Sequence, residues 1–73
     1  MANRSSFSPA WSLHKGRKTA TCAVWPHQFG WELRLTVAEE LIQSRVCRSQ
    51  AELIETQDQW KAAMIEKGWH EYQ

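Results

Sequence analysis

The amino-acid sequence predicts an α+β fold: an antiparallel three- to four-stranded β-meander packed against one C-terminal amphipathic α-helix. Three observations predict it. Residues 31–37 alternate apolar and polar without a break. Residues 49–68 repeat apolar positions at helical spacing between a start signal and a stop signal. Turn-forming residues separate the segments upstream. With 73 residues the chain makes one small domain, whose core supplies only about 3–5 kcal/mol of net stability.

Residues 1–10 read as a flexible N-terminal arm, because Arg4, Ser5, Ser6, Ser8 and Pro9 show no periodicity; Phe7 is the one residue there suited to docking. The domain is expected over 11–70, with a tail at 71–73. Trp11-Ser12-Leu13-His14 reads as a first strand turning at Lys15-Gly16, with Trp11 and Leu13 inward. Residues 18–25, rich in threonine and small side chains, read as the second strand. A four-residue loop at 27–30 brings Ala20, Cys22 and Val24 to the face that carries Leu33, Leu35 and Val37. In the third strand, residues 31–37, the odd-numbered side chains face the core.

Two readings of the next stretch compete. A two-residue turn at Glu39-Glu40 pairs Val37 with Ile42, Leu35 with Ser44 and Leu33 with Val46, so that the apolar sets coincide. Alternatively, Thr36-Val37-Ala38-Glu39 is a capping box that opens a short helix. The face match favours the hairpin, although its turn lacks glycine and asparagine.

The last element is a helix. Ser49 and Glu52 form a capping box, in which each side chain accepts from the other residue's amide. Leu53, Trp60, Ala63 and Met64 share one side, flanked by Ile54 and Ile65, with Gln57 an anomaly in that stripe. Glu52, Glu55, Gln59, Ala62 and Glu66 lie opposite. Acidic residues gather early and Lys61 and Lys67 late, as the helix dipole prefers. Gly68 suits a left-handed ending, after which Trp69 folds back on Met64.

The composition, 42% hydrophobic and 23% charged with a formal net charge of +1, excludes a disordered tail and a generally basic nucleic-acid binder. Tryptophan stands out: of Trp11, Trp25, Trp31, Trp60 and Trp69, periodicity sends three or four inward. The N-terminal residues do not resemble a signal peptide, and no run of about 18 apolar residues suits a membrane span. A cytoplasmic protein is expected, with Cys22 and Cys47 as reduced thiols.

Residues with catalytic chemistry are scattered. The acids sit in a turn or on the solvated helix face. His14, His27 and His70 fall in a strand end, a loop and the tail. In the register above Cys22 and Cys47 lie on opposite faces, and the glycines punctuate turns. Cys22 falls on the core side, where a thiol is inert packing. No catalytic residue, metal or cofactor is expected, and the chain reads as non-enzymatic. A small enzyme or ligand carrier would need a cleft lined by residues such as His27, Cys47 and Glu32.

Charge is unevenly spread. Residues 1–48 carry seven basic groups against three acids, net +4; residues 49–73 carry two against five, net −3. In the proposed register Arg34 and Arg45 oppose each other on the outer sheet face. Either Glu32 neutralises them diagonally in water, or the pair receives an anion or an acidic surface. With Trp25 as a stacking platform and Arg48 nearby, the binding residues expected are Trp25, Arg34, Arg45 and Arg48.

Taken in order, Trp11-Ser12-Leu13 with Lys15-Gly16-Arg17, Gly30-Trp31-Glu32-Leu33-Arg34-Leu35, Ser44-Arg45-Val46-Cys47-Arg48 and the ending Lys67-Gly68-Trp69 resemble a group of short bacterial proteins without an assigned activity. The resemblance covers about residues 11–69 and implies no substrate or catalytic residue. The function expected is a small binding or interaction module of the bacterial cytosol. It would use its outer sheet face or a sheet edge to meet a protein partner or an identical subunit. The alternative is a nucleic-acid-binding module using the same basic face.

Overall fold

The computed structural model describes residues 8–71. Strands β1 (Ser8–Lys15), β2 (Lys18–His27), β3 (Gly30–Val37) and β4 (Glu40–Cys47) form one antiparallel sheet in that spatial order, and α1 (Gln50–Glu66) follows. The expected α+β meander is present with all four strands. β1 begins at Ser8, ahead of the expected boundary at residue 11, and sets Pro9 opposite Ala23. The arm over 1–7 with Phe7, and residues 72 and 73 of the tail, lie outside the described residues.

Face matching locates β2 against β3 correctly: Ala20 pairs with Val37, Cys22 with Leu35 and Val24 with Leu33. The loop is tighter than expected, because His27 and Gly30 themselves pair and leave Gln28-Phe29 as the turn. The β3–β4 hairpin is also present, so the short-helix reading of 36–39 is set aside. Its register, however, differs from the expected one. The turn is Ala38-Glu39, Val37 pairs with Glu40, and a bulge at Ile42 then sets Leu35 opposite Gln43, Leu33 opposite Arg45 and Trp31 opposite Cys47. The extra residue turns Ser44 and Val46 to the outer face and Arg45 and Cys47 to the helix side. Arg45 there reaches Glu52 of α1 at 3.1 Å, and Cys47 is sealed against Leu33 and Leu53.

Ala38 and Glu39 have φ of 51° and 68°, as a two-residue hairpin turn of primed type demands. Each residue with a Cβ is strained there, by roughly 1–2 kcal/mol. The double substitution Ala38→Asn with Glu39→Gly supplies the pair that such a turn prefers, and is expected to stabilise the domain by about 1–2 kcal/mol. A thermal melt checks it: Tm should rise by roughly 5–15 °C for a domain of this size.

The odd-numbered face of β3 lies under α1, as the alternation requires. Leu13, Ala20, Leu35, Met64 and Trp69 make one buried cluster, and Cys22, Leu33, Cys47 and Leu53 the other. Trp11 and Trp60 pack against both, and Trp31 against the second. Four tryptophans therefore belong to the helix side of the sheet.

Helix capping follows the sequence closely. The Glu52 amide donates to Ser49 Oγ at 3.1 Å, while the Glu52 carboxylate accepts from the Arg48 amide at 3.0 Å instead of from Ser49. That backbone donor, with Arg45 and Arg48 nearby, holds the Glu52 carboxyl below its usual pKa. At the far end Gly68 has φ 100°, its amide donates to the Ile65 carbonyl, and the Trp69 amide donates to the Met64 carbonyl. This is the Schellman ending, and Trp69 is buried beside Met64 as its apolar contact. Two helix positions differ from expectation. Ala63 is exposed, and Thr56, one residue before Gln57, is buried on the sheet side. Gln57 is half-buried, and its backbone carbonyl accepts from Trp11 Nε1 at 3.2 Å.

Candidate functional site

With α1 on one face, no described element covers the other face of the sheet. Its floor comes from alternate residues of the two central strands. Thr21 and Ala23 of β2 lie opposite Thr36 and Arg34 of β3, and Trp25 lies opposite Glu32. Threonine and the β-branched pattern suit a pleated surface that stays partly wet. The Arg34 guanidinium carbon sits 4.5 Å from the Trp25 ring centroid, a cation–π geometry. Arg34 Nη2 donates to Glu32 Oε1 at 3.0 Å. Its Nε is enclosed without a hydrogen-bond partner. The ion pair is half-exposed and contributes about 0–1 kcal/mol, so its effect is to aim the guanidinium rather than to hold the fold.

Beside this pair lies a shallow depression of about 370 Å³, lined by Trp25, Arg34, Thr21, Thr36 and, from the rim, Glu39 and Leu41. It continues over Thr21 and Thr36 into a flatter depression of about 540 Å³ that ends at Arg17, Lys18 and Thr19. Together they form a trough along the open face, apolar and aromatic at one end, with Arg17 and Lys18 at the other and Glu39 lining both.

Of the four residues expected at the site, the structure brings two together, Trp25 and Arg34. Arg45 is corrected: Arg34 faces Ser44, not Arg45, and Arg45 lies on the helix face in an ion pair with Glu52. The bulge at Ile42 is the reason, since one inserted residue exchanges the faces of the strand beyond it. Arg48 lies past the end of β4, its guanidinium carbon 5.4 Å from the Phe29 ring centroid, at the opposite end of the sheet from Arg17 and Lys18. Sequence reasoning missed Thr36 and Leu41 as lining residues. Both lie on the outer face in the expected register too: Leu41 alternates with Ile42, and Thr36 follows from the alternation that places Arg34.

The remaining reactive groups are distributed. Glu32 is on the open face and Cys47 on the buried one, so these two do not share a cleft. Cys22 and Cys47, expected on opposite faces, occupy the same buried cluster as free thiols. Burial, reinforced by the neighbouring Cys47, pushes the Cys22 thiol up to about 12. The nucleophilic thiolate is then scarce at neutral pH. Both thiols are expected to resist iodoacetamide in the native protein and to react fully in denaturant, with mass spectrometry as the readout. Native labelling as fast as denatured labelling would show the cluster to be open. Among the described residues no three His, Cys, Asp or Glu side chains converge as metal ligands. Nor, among them, is any helix long and apolar enough to cross a membrane.

No protein-family model, curated protein or solved structure matches the chain.

Proposed function

We propose that the chain is a non-enzymatic interaction module of the bacterial cytosol that presents the open face of its sheet to a protein partner. The observation that carries this reading is the Trp25–Arg34 pair, stacked at 4.5 Å on the face the helix leaves bare. Aromatic and arginine side chains are the groups most enriched at binding hot spots. The guanidinium is already oriented by Glu32, so little side-chain entropy remains to be lost when it meets a carboxylate. The trough beside it accepts an extended segment with an apolar and an acidic side chain.

The test is an NMR titration of the full chain with an acidic peptide that also carries leucine and phenylalanine. The Trp25 indole and the Thr21 and Thr36 amides should shift together, and Trp25→Ala or Arg34→Ala should weaken binding at least about tenfold, near 1.4 kcal/mol. Shifts confined to other residues, or none at millimolar peptide, overturn the reading.

One observation favours a second reading. The trough ends at Arg17 and Lys18, a reasonable path for a phosphate backbone. Against it, Arg34 already covers a face of Trp25, where a base would stack. Salt-sensitive shifts with oligothymidylate, and none with peptide, would move the conclusion to single-stranded nucleic acid.

A further inference from the structure

The two edges of the sheet differ in kind. β1 carries Pro9, which has no amide hydrogen, and a bulge between Pro9 and Trp11. Its outward backbone at His14 is already engaged: the His14 amide donates to the His70 carbonyl at 2.6 Å, and the His70 amide donates back at 2.8 Å. β4 has neither a proline nor a lysine, and among the described residues no strand lies beyond its outer edge. Leu41, Ile42 and Val46 are 54%, 55% and 37% exposed there. The bulge at Ile42 bends the beginning of the strand and leaves 43–47 regular. A long apolar edge of this sort is where another strand adds.

Hydrogen-bond alternation shows which groups the edge offers. The Ala38 amide donates to the Thr19 carbonyl at 3.0 Å, so even-numbered residues of β3 bond to β2. Odd-numbered ones then bond to β4, at Leu35–Gln43, Leu33–Arg45 and Trp31–Cys47. The N–H and C=O groups of Ser44 and Val46 consequently point to the open edge.

We propose that β4 pairs with β4 of a second copy of this chain, antiparallel, about a twofold axis at Ser44. Charge selects the direction. Glu40 begins the strand, and Arg45 and Arg48 stand at and beyond its other end. An antiparallel copy brings opposite charges together, whereas a parallel copy aligns like with like. The register follows from faces and charge. Centring on Ser44 joins Ser44 to Ser44, sets Ile42 against Val46 twice, and sets Gln43 against Arg45. Moving the axis to Arg45 would oppose two guanidinium groups. The exposed Ile42 and Val46, which the bulge denies to the core, then gain apolar neighbours. Two four-stranded sheets become one continuous sheet with both helices on the same side. The inference rests on reading the chain as an interaction module, but it uses the edge and not the open face.

Sedimentation velocity on the full chain from about 1 μM to about 1 mM tests it, with amide hydrogen exchange at both limits. The mass should approach twice the 8.5 kDa of one chain, and the Ser44 and Val46 amides should gain protection as the concentration rises. Val46→Lys places a charge in the seam, and Ser44→Pro removes an outward donor without touching the β3 ladder. Each should raise the dimer dissociation constant at least about tenfold. Trp25→Ala and Arg34→Ala should leave it unchanged, which separates this idea from the peptide-binding reading. A wild-type chain that stays monomeric throughout, or a dimer indifferent to Val46→Lys, overturns the proposal. Should Ser44→Pro fail to fold, Val46→Lys decides alone.

Discussion

Replacing Gly30 by alanine is expected to leave little folded protein. Gly30 opens β3 with φ of 141°, a conformation that a residue with a Cβ rarely adopts. An added Cβ would collide with the Cys47 carbonyl oxygen and lie 3.1 Å from the Arg48 Cα. Both are backbone atoms, so no flexible side chain can yield. Relief requires parting the ends of β3 and β4, which pulls Cys47 from its buried cluster and shifts the Ser49 cap that follows. Backbone strain alone is about 1–3 kcal/mol, before any lost burial. A domain with only about 3–5 kcal/mol in hand cannot absorb both. The expected Tm drop exceeds about 15 °C by circular dichroism. Gly16→Ala is the internal control: its φ is also positive, at 61°, yet no atom lies within 4 Å of the added Cβ. It should lose only about 1 kcal/mol. Equal losses at the two sites would show that close approach at Gly30 is not the cause.

The second large effect is expected at Leu33. It is fully buried at the middle of β3, between Val24 and Arg45 in the ladder and beneath Leu53 of α1. Leu33→Ala removes three buried carbons and leaves a cavity whose neighbours, Cys22 and Cys47, are held by their own strands. Such truncations are destabilising by about 2–5 kcal/mol, most where the surroundings cannot collapse. The expected result is a chain that is partly unfolded at 25 °C and melts without a native baseline. Leu41→Ala, at an exposed edge position, should change Tm by less than about 4 °C in dilute solution. Urea titration ranks the two directly, and a similar midpoint for both would contradict the burial that separates them.

How far the sequence discloses this molecule depends on whether the deciding chemistry is local. The helix and its two ends were legible because Ser49, Glu52, Gly68 and Trp69 act within one turn of the end each of them marks. The β2–β3 register was legible because apolar residues on both strands leave one way to share a face. The β3–β4 register was not. Leu41 and Ile42 are adjacent apolar residues, so alternation allows either face, and no residue type announces the bulge that decides between them. The turn at Ala38-Glu39 was likewise concealed, because the strained φ values fall on residues that do not usually take them. Thr56 was overlooked since a search for aliphatic residues passes over a hydroxyl that lies within 3.9 Å of the Cys47 thiol, inside the core. At the site, Trp25 and Arg34 could be placed together from period-2 alternation alone. Arg45 could not, since its side depends on one inserted residue.

The seal on β1 has a bearing on assembly size. A sheet with two receptive margins adds units at both ends and propagates into a fibril. Here Pro9 lacks a donor and His70 occupies His14, so a second copy docked through β4 presents beyond itself only the obstructed β1 margin. Association on this geometry closes at a finite complex and protects an apolar margin from polymerisation.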